Sequence, residues 1–294
     1  MVRDLRICML NADAPVPVVV AERAPTYGRI FHQLLSSGAA NTKSPGASLI
    51  PAIKITSTDF DVTKNEYPTS IANFDAIIIS GSANSAYDEL PWIRKLARWT
   101  KETYEREPSV KIFGSCFGHQ LVCQALLGDY GVKVEKHPDG WELGVKEITL
   151  HRQFYNEFIG DEGCGVHKKA EKMRLQFVHH DHVVIPDVGA LPGSWTTLGI
   201  TQHCANQGMY EPGRILTFQG HFEFDRFINS ETIKYFFPNW QPKVLEETLD
   251  AIDADDDSVA AAGVVLKFFL DDSARKHGQS HAVVGGLLTP PSRE

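Results

Sequence analysis

One short segment near the middle of the chain constrains its fold more than any other part of the sequence. The apolar pair Ile112-Phe113 leads into Gly-Ser-Cys-Phe-Gly at residues 114–118, and an apolar stretch compatible with a helix runs from Leu121 to Leu127. Glycines beside a turn residue allow a bend that other residues resist. This order predicts a strand, a sharp turn and a helix, with a cysteine at the position of the nucleophile in a nucleophile elbow.

Cys116, the residue in that turn, would stand above the end of a strand and at the N-terminus of a helix. The positive end of the helix dipole stabilises a thiolate there, and the thiolate is the reactive form of cysteine. A lone cysteine before a helix is more often a small buried apolar residue. The catalytic interpretation therefore depends on a base elsewhere in the chain.

A second strand-like segment supplies a candidate base. Residues 214–219 lead into Gly220-His221, and Glu223 follows two positions after the histidine. Alternate residues of an extended segment point the same way, so the two side chains can meet. An imidazole can accept the thiol proton, and a carboxylate can hold the imidazole in one tautomer and orientation. We therefore predict a catalytic triad of Cys116, His221 and Glu223.

Together with two further segments, these motifs resemble those of the class I, or triad-type, glutamine amidotransferases. The branch they resemble most is the GMP-synthetase type and its stand-alone relatives, the γ-glutamyl peptidases. One further segment is Asp75–Ala83, a strand with a Gly-rich turn, which Pro91-Trp92-Ile93 follows as in the stand-alone branch. The other, residues 180–183, is similar to the family's His-x-Asp segment. The four motifs occur in the family's order and lie within residues 5–237.

Two positions depart from the family pattern. Phe222 stands where the family usually has proline in His-Pro-Glu. If this bulky side chain turned residue 223 away from the histidine, Asp225 would be the better candidate carboxylate. The turn after Ser80 has Gly-Ser-Ala where synthetases usually have Gly-Gly-Pro, a change that keeps a backbone N–H at Ser82.

The resemblance implies an α/β fold with a mostly parallel open sheet, helices on both faces, and the elbow at the carboxyl ends of the strands. This is the flavodoxin-like architecture of the class I glutamine amidotransferases. It also implies roles for residues around the triad: backbone N–H groups of Ser82 and Phe117 as the oxyanion hole, Gly81, Gln120 and Trp141 in substrate binding, and His180 and Asp181 in support of the site. From the residues alone, Trp141 would equally suit core packing.

The order of apolar segments predicts the same fold class without the resemblance. Strands are expected at residues 5–10, 49–55 and 76–79, and helices at 25–37 and 91–106. Strands that alternate with helices favour a parallel sheet covered on both faces. Ligands bind such sheets at the carboxyl ends of the strands, and Gly81, Cys116 and His221 are all expected at such ends.

The remaining segments divide the chain. Residues 36–48 and 160–172 have the composition of surface loops. After residue 240, helices are expected at 244–252 and 258–270, the second with Ser258 as its N-cap, before a loose tail that contains 289–292. We expect a catalytic domain at 1–240 and a C-terminal helical extension with the tail at 241–294.

A cluster of potential metal ligands, His179-His180-Asp181-His182, lies before the last strands. Imidazoles and carboxylates are common zinc ligands. Neighbouring residues on a strand point to opposite faces, however, so the four side chains cannot easily bind one ion. We expect neither a metal site nor a cofactor.

Composition bounds the partners and the compartment. The net charge of −8 with no basic run argues against binding nucleic acid or an anionic membrane. No segment resembles a signal peptide, and the apolar run Val259–Leu270 is too short to span a bilayer. Five irregularly spaced cysteines do not suggest a disulfide framework. We expect a cytoplasmic protein that acts on a small γ-glutamyl molecule.

Three functions remain open. No Gly-x-x-x-x-Gly-Lys-Ser/Thr loop is present, so we do not expect a complete GMP synthetase. The first function is a stand-alone hydrolase that cleaves glutamine, glutathione or a γ-glutamyl conjugate through a γ-glutamyl thioester. The second is a glutaminase subunit that supplies ammonia to a separate synthetase partner, and the third is a non-enzymatic regulatory relative.

Overall fold

A computed structural model describes residues 2–41, 52–160 and 171–271. The β-strands in these residues are, in chain order, β1 (Val2–Asn11), β2 (Ala52–Asp61), β3 (Ala76–Ile79), β4 (Lys111–Ser115), β5 (Lys133–Lys136), β6 (Glu142–Leu150), β7 (Lys172–His179), β8 (Asp181–Val184), β9 (Thr196–Thr197), β10 (Gly199–Ile200), β11 (Met209–Glu211) and β12 (Ile215–Phe218). The α-helices are α1 (Pro17–Glu22), α2 (Tyr27–Asn41), α3 (Pro91–Arg106), α4 (Phe117–Leu127), α5 (Arg152–Phe158), α6 (Arg226–Phe236), α7 (Pro242–Ile252) and α8 (Ser258–Leu270). Short 3₁₀ helices lie at Val62–Lys64, Ile71–Asn73, Gly128–Tyr130 and Val188–Ala190.

A seven-stranded sheet in the order β2-β1-β3-β4-β12-β11-β9 forms the centre of the described residues. The first five strands of that order are parallel to one another. The strands β11 and β9 add antiparallel pairs at one end. The prediction of a mostly parallel sheet is therefore confirmed.

Helices cover both faces of this sheet, as predicted. On one face, Ile7 and Met9 of β1 belong to a core that includes residues of α2 and α8. On the other face, Cys8 and Leu10 belong to a second core with residues of α3 and α4. Alternate residues of a strand point to opposite faces, so one strand contributes to both cores.

Two smaller antiparallel sheets accompany the main one, in the orders β10-β6-β7 and β5-β8. Strand β7 passes beside the end of β12, where the backbone N–H of His221 donates to the carbonyl oxygen of Gln176 at 2.8 Å. A side chain at Gly220 would not fit here, since a Cβ would lie 2.8 Å from Cζ of Phe177. The small sheet thus brings β7 and the residues after it to the carboxyl end of the central strands.

Two sequence-predicted elements differ most from their expected bounds, while β1 and α7 extend a few residues beyond the predicted 5–10 and 244–252. The second strand begins at Ala52 and ends at Asp61, later than the predicted 49–55, and pairs along its whole length with β1. It is an edge strand with alternating polar residues, so its apolar pattern is weak; residues 49–51 lie outside the described residues. Residues 36–41, predicted as loop, belong to α2 because Gly38 allows close contact with α8: a Cβ there would lie 3.3 Å from Leu266. The rest of that predicted loop lies outside the described residues.

The C-terminal helices occur where they were predicted, with one correction. Ser258 is the first residue of α8, and Asp257 precedes it as the N-cap. Helix α8 contributes Ala261, Val265 and Phe269 to the core shared with α2. The boundary at residue 240 stays a prediction, and the tail falls outside the described residues, as do 161–170 of the other predicted loop. Among the helices that the structure describes, none has the length and apolar character that a membrane span requires.

Candidate active site

Cys116 joins β4 to α4 in a strained turn. Its φ is 50° and its ψ is −104°, and among the described non-glycine residues only Asn65 also has a positive φ. A non-glycine residue held in such a conformation costs roughly 1–3 kcal/mol. The backbone N–H of Cys116 donates to the carbonyl oxygen of Phe218 at 2.8 Å, which ties the turn to β12. The elbow conformation predicted from the sequence is confirmed.

The glycines beside the cysteine serve close packing rather than the bend itself. A Cβ at Gly114 would lie 2.5 Å from the carbonyl oxygen of Gly118. A Cβ at Gly118 would lie 2.3 Å from the carbonyl oxygen of Ile79. Any side chain at either position would therefore separate β3, β4 and α4, while the strained dihedral angles belong to Cys116 alone.

His221 and Glu223 meet, as the sequence predicted. Nδ1 of the imidazole lies 2.7 Å from Oε1 of the carboxylate, and the two side chains are only 4% and 1% exposed. The hydroxyl of Ser115 donates to the same Oε1 at 2.9 Å. The reason for the meeting differs from the prediction: β12 ends at Phe218, and a single bridge to Gln176, rather than a continuing strand, holds His221.

Phe222 does not turn residue 223 away from the histidine. Its ring packs in the core against Phe31 and Phe113, at centroid distances of 5.4 Å and 5.5 Å. Asp225, the alternative carboxylate, instead caps α6 by accepting the N–H of Ile228 at 2.7 Å. Glu223 is therefore the carboxylate beside the imidazole.

The imidazole of His221 is enclosed and electrostatically favoured in its charged form. Burial lowers its pKa, but the charges of Glu223 and Cys116 and the hydrogen bonds to them outweigh burial and raise the pKa. The ring of Phe224 stacks on the imidazole at 4.0 Å and excludes water from that face. A charged imidazole beside the sulfur is the arrangement that activates a cysteine nucleophile.

The turn after β3 lies against both His221 and Cys116. A Cβ at Gly81 would be 3.0 Å from Cε1 of the imidazole and 3.7 Å from Cβ of the cysteine. Side-chain bonds to the end of β1 hold this turn: Ser80 accepts the N–H of Ala12 at 2.9 Å, and the N–H of Ala83 donates to Asp13 at 2.9 Å. Contacts that are remote in sequence thus position the turn at Cys116.

The predicted oxyanion donors lie beside this turn and at the elbow. Ser82 lines the same cavity as the cysteine. Phe117 is the first residue of α4, and the first N–H groups of a helix have no acceptor within it. Ser82 therefore borders the cavity and Phe117 directly follows Cys116, and the role of their N–H groups stays a prediction.

The sulfur opens into a cavity of about 360 Å³. Most of the predicted site residues line it, namely Gly81, Ser82, Cys116, Gln120, Trp141, His180, Asp181 and His221. Glu223 lies behind His221. A larger cavity, of about 830 Å³, lies between β6 and α7, but neither Cys116 nor His221 borders it. Of these two cavities, the predicted catalytic residues Cys116 and His221 therefore line only the smaller one.

The mouth of the smaller cavity is aromatic. Trp141 is 43% exposed, stacks on His180 at 5.3 Å and meets the edge of Phe237 at 4.9 Å. Phe236, also on the lining, is 46% exposed. Trp141 is therefore a rim residue and not part of the core, the alternative that the sequence left open.

Asp181 and Gln120 are tied into the wall of the cavity. The carboxylate of Asp181 accepts the hydroxyls of Ser85 at 2.5 Å and Tyr87 at 3.1 Å. The side-chain amide of Gln120 donates to the carbonyl oxygen of Asp181 at 2.9 Å. These contacts stiffen the wall, and the assigned roles in support and substrate binding stay predictions.

Sequence reasoning missed several residues of the site. Ser115 and Phe224 contact Glu223 and His221 of the predicted triad, and the Nε2 atom of Gln219 lies 3.6 Å from the sulfur of Cys116. A second buried pair, His179 and Glu142, joins β7 to β6 at 2.8 Å. Glu142 lies beside Trp141, to which the resemblance assigned substrate binding, and His179 was weighed as a metal ligand, but neither was predicted to pair with the other. No local signal assigned a role to Ser115, Phe224 or Gln219, because their contacts with the site depend on long-range packing.

Histidines also gather near this pair. The ring of His137 lies 4.4 Å from that of His182 and 4.1 Å from that of His203. Within the described residues, no group of three or more His, Cys, Asp or Glu side chains is arranged to hold a metal ion.

Comparison with known proteins places these features in one family. The model of the glutamine amidotransferase class-I family matches residues 41–237. A glutamine amidotransferase-like protein of Schizosaccharomyces pombe is 31% identical over 91% of this chain and all of that protein. γ-Glutamyl peptidase 2 of Arabidopsis thaliana is 27% identical over 72% of this chain and 80% of its own length.

A solved structure agrees on the fold. The crystal structure of a glutamine amidotransferase from Thermotoga maritima aligns with a TM-score of 0.61 at 15% identity, covering 91% of this chain and 99% of that one. Sequence match, fold and elbow agree, and the chain belongs to the class I glutamine amidotransferase family.

Proposed function

We propose that this protein is a cysteine hydrolase that cleaves γ-glutamyl amides through a γ-glutamyl thioester. The observation that carries the proposal is the shared cavity of Cys116 and His221, with Nδ1 of the imidazole 2.7 Å from Glu223. A nucleophile beside a base, which a third group orients, is the signature of covalent catalysis.

The proposed reaction begins when the thiolate of Cys116 attacks the side-chain carbonyl carbon of the substrate. The N–H groups of Ser82 and Phe117 stabilise the oxyanion, a contribution worth roughly 10²–10³ in rate for one donor. Because Nδ1 of His221 is held by Glu223, Nε2 takes the thiol proton and delivers it to the leaving amine. Water, deprotonated by the same imidazole, then hydrolyses the thioester and restores the thiol.

The aromatic mouth supports a leaving group larger than ammonia. Trp141 and Phe236 expose apolar surface beside the entrance, and burial of such surface by a substrate is favourable at about 25 cal/mol per Å². Relatives named γ-glutamyl peptidases occur among the similar proteins. We therefore favour glutathione or a γ-glutamyl conjugate over free glutamine as the substrate. The composition of the chain separately supports a cytoplasmic protein without nucleic-acid or membrane partners.

The second candidate is a glutaminase subunit that supplies ammonia to a synthetase partner. The family match supports it, because the family name describes proteins that transfer the amide nitrogen of glutamine. This candidate predicts weak glutamine hydrolysis by the isolated chain and stimulation by the partner.

Mass spectrometry of the protein mixed with glutamine, glutathione or an S-aryl glutathione tests the proposal. A γ-glutamyl adduct on the peptide that contains Cys116, with release of the dipeptide or its conjugate, is the expected result. The Cys116→Ala variant is the matched control and must show no adduct. Ammonia release from glutamine alone would favour the subunit, and no adduct with any substrate would favour the regulatory relative.

A further inference from the structure

Gln219 is a buried polar residue for which the triad mechanism has no use. Its side chain is fully buried, and its backbone N–H donates to the carbonyl oxygen of Gln207 at 3.0 Å, so the residue has little freedom to move. Its Nε2 atom lies 3.6 Å from Sγ of Cys116, a normal length for a hydrogen bond to sulfur. The end of β12 thus directs an amide at the nucleophile from beneath the cavity.

The orientation of this amide follows from its neighbours. The carbonyl oxygen of Asp181 can only accept, so the atom of Gln120 that lies 2.9 Å from it must be the amide nitrogen. That same nitrogen lies 3.1 Å from the side-chain amide atom of Gln219 that points away from the sulfur, and this atom must therefore be the oxygen Oε1. The remaining end of Gln219, which faces the sulfur, is the NH₂ group.

The reversed orientation would make two repulsive contacts. It would set the NH₂ of Gln219 against the NH₂ of Gln120, and an amide oxygen against the negative sulfur of the Cys116 thiolate. The contacts of Asp181 and Gln120 thus act as a chain of donors and acceptors that ends with an N–H directed at the sulfur.

An N–H donor favours the charged form of a sulfur over its neutral form, because hydrogen bonds to ions are the stronger ones. The amide is neutral and does not titrate, so it cannot compete with His221 for the thiol proton. His221, Glu223 and the phenol of Tyr27 also interact electrostatically with this site. Of these, only the imidazole can carry a positive charge.

The geometry points to Gln219 as a catalytic residue: its side-chain N–H donates to Cys116, stabilises the thiolate and holds the sulfur for attack. Gln120 is then a positioning residue that fixes the orientation of the Gln219 amide. The catalytic part of this inference rests on the proposed function, whereas the effect on thiol reactivity holds without any substrate.

The test is the pH profile of iodoacetamide alkylation at Cys116, followed by peptide mass spectrometry in the absence of substrate. Gln219→Met keeps the length of the side chain and removes the donor. Its alkylation midpoint should move to higher pH, with a rate at neutral pH reduced roughly ten- to a hundredfold, the range for a lost hydrogen bond to a charged group. Gln219→Glu should shift the midpoint further, because it sets a negative oxygen against the sulfur.

Gln124→Met is the matched control. Gln124 lies on the same helix as Gln120, is half-buried, and accepts the N–H of Val134 at 3.3 Å outside the cavity. Its alkylation profile should equal that of the parent. A folded Gln219→Met protein whose profile also equals the parent's would overturn the inference.

Two further measurements cover the case in which Gln219→Met fails to fold. Gln120→Met removes the group that orients Gln219 and should give a smaller shift in the same direction; an unchanged profile would overturn the orientation argument. In the unaltered protein, the side-chain N–H signal of Gln219 in an NMR spectrum should change over the pH range in which alkylation accelerates. An N–H signal constant over that range would overturn the hydrogen bond itself.

These readouts separate this inference from the proposed function. If the parent cleaves no γ-glutamyl amide and Gln219→Met still shifts the profile, the proposed function fails and the thiolate contact stands. If the parent is active and Gln219→Met leaves both alkylation and turnover unchanged, only this inference fails.

Discussion

The Glu223→Gln substitution examines the part of the triad on which the sequence was least informative. In the parent, Oε1 of Glu223 accepts both the N–H of His221 and the hydroxyl of Ser115. The other oxygen, Oε2, is buried and has no hydrogen-bond partner among the described residues. A glutamine that kept its oxygen at the Oε1 position would therefore bury an unpaired NH₂ group.

Burying that group without a partner costs roughly 1–3 kcal/mol, which favours a flipped amide. The flipped NH₂ donates to Nδ1 of His221, so the imidazole must carry its proton on Nε2. An imidazole in that tautomer cannot accept the thiol proton of Cys116. The loss of the carboxylate charge adds to this effect, because Glu223 is one of the groups that raise the pKa of His221.

We expect kcat to fall by roughly 10²–10⁴ with KM changed less than about threefold, because the tautomer matters only for the chemical step. His221→Ala should fall further, since it removes the base altogether. The assay is steady-state hydrolysis of the substrate identified by mass spectrometry. Circular dichroism should show both variants folded.

Asp225→Asn is the matched control, because it changes a nearby carboxylate that caps α6 instead of contacting the imidazole. It should retain kcat within about threefold and lose at most about 1 kcal/mol of unfolding free energy, since asparagine is also a good N-cap. If Glu223→Gln keeps near-parental kcat while Asp225→Asn loses it, the reasoning is refuted and Asp225 is the orienting carboxylate.

Three other outcomes follow from the same geometry. In activity assays, Cys116→Ala should reduce turnover by roughly a thousandfold or more, and in denaturation experiments it should change the unfolding free energy by only about 1 kcal/mol. Activity within tenfold of the parent would contradict the thiolate mechanism. Between about pH 6 and 9, Cys116 should react with iodoacetamide before the other buried thiols. Burial raises the pKa of Cys204 to about 12 and also raises the pKa values of Cys8 and Cys123, so these three thiols stay protonated. Earlier labelling of any of the three would refute the elbow interpretation. Gly81→Ala should lower kcat by roughly tenfold, because its Cβ would lie 3.0 Å from Cε1 of the His221 imidazole, which Glu223 and Phe224 hold in place. Gly193→Ala is the control and should have no effect on kcat, since a Cβ at that position meets nothing within 4 Å.

The elements that sequence reasoning predicted correctly are those with strong local signals. Strand β3 is a continuous buried apolar run, and the apolar pair of β4 leads directly into the elbow, which shows within ten residues. Strand β2 was misplaced because an edge strand alternates polar and apolar residues and offers no such run. The prediction of a loop from residue 36 was wrong for residues 36–41, which are helical. Ser and Gly favour loops in isolation, but here Gly38 packs against α8 and the helix continues.

The amino-acid sequence by itself determined the α/β class, the position of Cys116 in a turn between strand and helix, and the choice of His221 as its partner. These features depend on backbone preferences and on motifs of a few residues. Only the tertiary structure decided that Phe222 enters the core and leaves Glu223 beside the imidazole. The same holds for the amide of Gln219, whose orientation depends on Gln120 and on a carbonyl at Asp181. The physical reason is that these contacts join the end of β12 to α4 and to the start of β8, and such contacts exist only when the chain has folded and the strands have found their register.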